Sequence, residues 1–135
     1  MIRAAMRRRF WTWTVLACAA GLLVLRAAWT WLPPLLPPCL FRRWTGWSCP
    51  GCGGTRCVGR LLHGDLAGAL AANPLVVLCG LFAAGWLAAA VAAEWRGRPV
   101  PALSARLVWA LFGVAAVFAL TRNLPWWPFT LLAPR

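Results

Sequence analysis

Side-chain chemistry in this sequence is concentrated at Cys49-Pro50-Gly51-Cys52, two of six cysteines that also include Cys18, Cys39, Cys57 and Cys79. Two thiols at this spacing can exchange disulfides, bind a thiophilic metal, or shape a turn. In the redox reading Cys49 is the attacking thiol and Cys52 the resolving one, with a helix N-terminus and Arg56 close by to favour thiolate. No thioredoxin-type βαβ pattern surrounds the pair, although an oxidoreductase embedded in a membrane needs none. In the metal reading the glycines let backbone N–H groups turn toward the sulfurs, as in a zinc knuckle. A structural zinc needs four ligands and no second Cys-x-x-Cys follows, so Cys57 and His63 are available to complete the set, or two chains share one site. In the structural reading proline, glycines and cysteines form a tight turn beside the membrane, with or without a Cys49–Cys52 disulfide. All three readings stay open on the sequence.

The other reactive groups carry weaker signals. Cys18 and Cys79 fall in apolar runs, where a thiol behaves as a small hydrophobe. His63 alone reads as an interfacial hydrogen-bonding group. Asp65 and Glu94 are the only carboxylates, and Asp65 is expected to pair with Arg56, Arg60 or Arg122. There is no phosphate loop, nucleophile elbow, His-Glu-x-x-His or carboxylate pair, so hydrolase and nucleotide chemistry have no support.

The elements that must position these groups are hydrophobic. Of 135 residues 62% are hydrophobic and 12% charged, with mean hydropathy +0.71, more apolar surface than a soluble core of this size can hide. An all-α integral membrane protein is expected, a multi-pass protein of the cell membrane with the lipid bilayer as its first partner. Residues 1–9 are a basic tail, 10–32 the first span, 33–73 a proline-rich loop with the cysteine motif and an interfacial or re-entrant helical segment, 74–94 the second span, 95–101 a loop, 102–121 the third span and 122–135 an interfacial tail. Trp11/Trp13 and Trp29/Trp31 bracket the first span at about one hydrocarbon thickness. The run continues well past Val15-Leu16-Ala17-Cys18, which favours an uncleaved helix over a signal peptide or lipoprotein box. Arg26 snorkels to the near interface or partners Asp65 or Glu94. Pro33, Pro34, Pro37 and Pro38 stop the helix, and Asn73-Pro74 is a cap followed by proline at the first helical position.

Between these spans residues 55–72 read as one helix or two short ones broken near Gly64-Asp65, with Arg56, Arg60 and His63 on one face. The +12 charge comes wholly from arginine, spread between apolar runs without a nucleic-acid motif, so the arginines are assigned to lipid headgroups and not to nucleic acid. The leading arginines favour a cytoplasmic N-terminus, which puts the cysteine segment on the exterior or periplasmic side.

Taken together, Cys49-Pro50-Gly51-Cys52-Gly53-Gly54-Thr55-Arg56, His63-Gly64-Asp65 with Ala69, Asn73-Pro74-Leu75 and Arg122-Asn123-Leu124-Pro125 resemble the DUF2752 family of small prokaryotic membrane proteins. The resemblance implies helices and a membrane location but no activity. It also implies a candidate site of Cys49, Cys52, Thr55, Arg56, Gly64, Asp65, Asn73, Arg122 and Asn123. The expected function is a non-enzymatic membrane component or assembly subunit, bound to a membrane-protein partner or to further copies of itself, with a structural turn or a turn held by zinc or another thiolate-bound metal. The alternative is a membrane thiol-disulfide oxidoreductase using Cys49 and Cys52.

Overall fold

The computed structural model describes residues 9–32 and 39–127. The expectations for the basic tail before Arg9, for Pro33, Pro34, Pro37 and Pro38, and for the end of the chain from Pro128 lie outside these residues. Every regular element described is helical: α1 Phe10–Ala28, α2 Leu40–Thr45, α3 Gly54–Leu62, α4 Leu66–Ala72, α5 Pro74–Trp95 and α6 Ala105–Thr121.

Two of the three expected spans are long and apolar enough to cross a bilayer, α1 with 19 residues and α5 with 22. The third is shorter than expected. Ser104 caps α6, its hydroxyl accepting from the Leu107 N–H at 3.2 Å, so the helix begins at Ala105 and not at residue 102. Its 17 residues rise about 25 Å, short of the ~30 Å hydrocarbon thickness. The first helix likewise ends at Ala28 and not at residue 32; Trp31 and Leu32 donate back to the Ala28 carbonyl in a closing turn. No residue of α1 or α6 is buried, and Leu22, Leu23, Val24, Phe112, Val114 and Val117 lie open.

α1 and α5 run antiparallel, and α1 is fastened at both ends, to α5 where it begins and to α3 where it closes. At one end the Glu94 carboxylate accepts the backbone N–H groups of Trp11 and Thr12, each at 3.0 Å, and the Thr12 hydroxyl at 2.8 Å. A carboxylate on the last turn of α5 thus satisfies amides that α1 cannot bond internally. Trp95 Nε1 donates to the same hydroxyl at 3.0 Å, and the Trp11 and Trp86 rings meet edge to face. At the other end Arg26 donates to the Leu62 carbonyl, while Trp29 lies against Gly59. Arg26 therefore partners neither Asp65 nor Glu94.

The segment after the cysteine motif folds as two short helices, α3 and α4, broken at His63-Gly64-Asp65, where Gly64 takes φ +80°. Asp65 caps α4 by accepting the Gly68 N–H at 2.8 Å, and its second oxygen lies 3.5 Å from Arg60 Nη1, so of the three expected arginines the partner is Arg60. A small core of Cys57, Ala69 and Val77, flanked by Ala72 and Val76, joins α3, α4 and the start of α5. Gly53 controls the approach: it sits at φ +82°, and a Cβ there would lie 2.6 Å from the Ala72 carbonyl oxygen. Gly53→Ala is expected to cost about 2 kcal/mol or more, from the left-handed backbone together with the clash. Unfolding midpoints in detergent measure this, and a change below about 0.5 kcal/mol would mean that the turn relaxes freely.

Candidate thiol centre

The motif is a turn wound tightly enough to bring its sulfurs together. Cys52 N–H donates to the Cys49 carbonyl at 3.0 Å and Gly54 N–H to Gly51 at 2.8 Å, after which α3 begins. Cys49 Sγ then lies 3.4 Å from Cys52 Sγ and 3.5 Å from Cys39 Sγ. All three sulfurs are within 4.8 Å of one another.

Cys39 is the thiol that spacing did not find. It precedes α2, which closes at Gly46 in the left-handed region, φ +73°, and the chain then turns back through Trp47 and Ser48 to the motif. Ser48 is pinned at both backbone groups: its N–H donates to Asn123 Oδ1 at 2.7 Å, and its carbonyl accepts from Asn123 Nδ2 at 2.8 Å. The nine residues between Cys39 and Cys49 match no ligand spacing, so only the turn and the Asn123 clamp reveal the third thiol.

Cys57 and His63, offered as ligands to complete a set, are not in the cluster. The fully buried Cys57 thiol donates to the Asn73 carbonyl at 3.6 Å, inside the small core. His63 Nδ1 lies 2.7 Å from the Gly59 carbonyl at the far end of α3.

Two residues hold the motif from beneath. Asn73, fully buried, donates from Nδ2 to the carbonyls of Pro50 at 2.9 Å and Cys52 at 3.1 Å, while its Oδ1 accepts the Val76 N–H at 3.1 Å as the cap of α5. Arg122, 2% exposed, follows α6 and donates from Nη1 to the carbonyls of Cys49 and Cys52, both at 3.1 Å, and of Pro50 at 3.4 Å. Its Nε and Nη2 are buried with no partner among the described residues, and the Phe118 ring lies 4.9 Å from its guanidinium carbon. Of the site named from the sequence, Cys49, Cys52, Asn73, Arg122 and Asn123 therefore meet in one place. Thr55, Arg56 and Asp65 line a separate groove, and Gly64 forms the bend beside it. The cation at the thiols is Arg122, where Arg56 was expected.

The thiols are electrostatically unlike. Burial, then the Cys49 thiol, pushes the Cys52 thiol up to about 11. Cys39 is lowered, first by the Arg42 backbone N–H at the start of α2 and next by the Cys49 thiol. Burial lowers Arg122, against the opposing pull of Cys52 and Cys49 as thiolates. In metal-free protein, iodoacetamide should therefore modify Cys39 below the ordinary thiol range and spare Cys52 until pH approaches 11. Peptide mapping across a pH series reads the order, and Cys52 reacting before Cys39 would refute it.

Residues 39–87 match the model of a family described as a protein of unknown function, DUF2752. No curated protein and no solved structure matches the chain.

Proposed function

From a chain that belongs to DUF2752 through residues 39–87, we propose a multi-pass membrane component whose Cys39, Cys49 and Cys52 hold a thiolate-bound metal, with zinc the best fit. The observation that carries this reading is the convergence of three sulfurs beside a buried arginine that has no carboxylate partner among the described residues. A divalent ion with three thiolates carries one net negative charge, which Arg122 offsets. Zinc–sulfur bonds of about 2.3 Å in tetrahedral geometry need sulfurs about 3.8 Å apart. The 3.4 and 3.5 Å separations require only a small opening. Soft thiolate donors favour zinc over hard cations.

Three ligands leave a fourth position, which a second copy or a partner membrane protein would fill in an assembly subunit and a water in a catalytic centre. Three spans are favoured by the return of α6 to the motif: the chain leaves Asn73 along α5 and comes back along α6 to Arg122, so the shorter helix makes the same crossing with some local thinning of the bilayer.

The test is elemental analysis and alkylation mapping of the full chain in mild detergent. One zinc per chain, or one per two chains, with Cys39, Cys49 and Cys52 protected and the metal lost in Cys52→Ser, is the expected outcome. Metal-free protein with all three thiols freely alkylated would overturn it.

One feature favours thiol-disulfide exchange instead: Cys49 lies between two thiols. Its thiolate would attack a substrate disulfide, releasing one substrate thiolate and forming a mixed disulfide. A second thiolate would then attack the Cys49 sulfur, releasing the other substrate thiolate and leaving an internal disulfide. Cys39 is better poised than Cys52 for that second attack, since burial holds Cys52 protonated. A metal-free preparation with a reversibly formed disulfide at Cys49 would put this reading first.

A further inference from the structure

Thr55, Arg56, Arg60, His63 and Asp65, which the thiol centre does not use, line with Trp29 and Gly59 a groove of about 380 Å³ between α3 and the end of α1. The charges in it do not cancel. Asp65 is occupied by the Gly68 N–H and by Arg60, whereas Arg56 has neither hydrogen bond nor ion pair among the described residues. The Thr55 hydroxyl is likewise without a partner among them, whereas His63, its Nδ1 donating to the Gly59 carbonyl, presents an acceptor at Nε2 of the neutral ring and no proton to an oxyanion. One wall is the Trp29 ring, seated on Gly59 where any Cβ would collide with it. A free guanidinium and a hydroxyl beside an apolar indole match an oxyanion attached to something apolar. From this we infer that the groove binds a phosphate group, carried by a phospholipid headgroup or free in solution, with Arg56 as its principal donor.

The groove lies at the end of α1 that Trp29 and Trp31 mark as interfacial, the depth at which lipid phosphates lie. Phosphate takes paired N–H donors from a guanidinium fork, which Arg56 offers without first breaking a bond, whereas Arg60 must loosen its hold on Asp65.

The experiment is native mass spectrometry of the full chain released from detergent, with phosphatidylglycerol, diacylglycerol or inorganic phosphate added. Phosphatidylglycerol should be retained and diacylglycerol should not, and Arg56→Gln should weaken retention about tenfold, the loss of a charge-assisted hydrogen bond. Arg98→Gln, the same charge change in the loop after α5, should leave retention unchanged, and the unfolding midpoint in detergent shows whether Arg56→Gln is still folded. Displacement by millimolar inorganic phosphate would identify the free ion as the ligand, and resistance to it the lipid. Equal retention of phosphatidylglycerol and diacylglycerol, or equal effects of the two arginine variants, would overturn the proposal.

Discussion

Arg122→Met is expected to weaken zinc binding at the thiol centre by about 10- to 100-fold, the usual loss when a group supporting metal ligands is removed, while the chain stays folded. The reason lies in how the carbonyls around Arg122 are shared. Those of Pro50 and Cys52 also accept from Asn73 Nδ2, and that of Cys49 accepts the Cys52 N–H. Methionine therefore orphans none of them completely, fills much of the same space, and removes a buried charge that has no carboxylate to answer it. The cost to metal-free protein should be about 1–2 kcal/mol. The cost to the metal-bound state is larger, because a half-buried anionic zinc trithiolate would lose its counter-charge. Arg122→Lys should fall between, keeping the charge but losing the planar fork.

The pH dependence follows from the same residues. Cys52 must give up a proton it holds to about pH 11, so zinc affinity in the parent protein should climb as pH rises toward that value and fall on acidification. Competition against a chromophoric chelator measures both effects, and an affinity unchanged in Arg122→Met would remove the electrostatic argument for a metal-thiolate centre.

Much of the frame is legible in the sequence because it is written locally. Asn73-Pro74 is a cap and a helix start within two residues, and Gly64-Asp65 supplies a left-handed turn and then a cap, so α4 and α5 follow from short-range chemistry. The return of Arg122-Asn123 to the cysteine segment is also foreseeable, because an apolar helix out and another back leave the two polar clusters at the same end. What the sequence hides depends on turns and long-range partners. Cys39 reaches Cys49 only through the left-handed Gly46 and the Asn123 grip on Ser48, neither of which has a periodicity. Glu94 reads as the end of a span, yet its carboxylate serves the other helix, 82 and 83 residues away in sequence. Arg56 lies only four residues from Cys52, and nearness along the chain suggested a shared site. The start of α3 instead turns its side chain into the Trp29 groove. The third span is overestimated because hydropathy counts Ala102 and Leu103, whereas the Ser104 cap fixes where helix begins.

Asn73 is where the local and long-range instructions meet, and its variants separate them. Asn73→Ser can keep the cap of α5, since a hydroxyl accepts the Val76 N–H, but it loses both Nδ2 bonds to the motif. Asn73→Ala loses the cap as well. Two buried bonds at about 1 kcal/mol each and a cap at about 1 kcal/mol predict losses near 2 kcal/mol for serine and 3 kcal/mol for alanine. Stability in detergent should thus fall in the order parent, serine, alanine. Reactivity at Cys52 should not follow the same steps. Both variants remove the two Nδ2 bonds equally and leave the Cys52 carbonyl to Arg122 alone, so iodoacetamide should reach Cys52 in either one at a pH where it spares the parent. If serine matched the parent in both readouts, the cap alone would account for Asn73, and the thiol turn would be held by Arg122 and Asn123 without it.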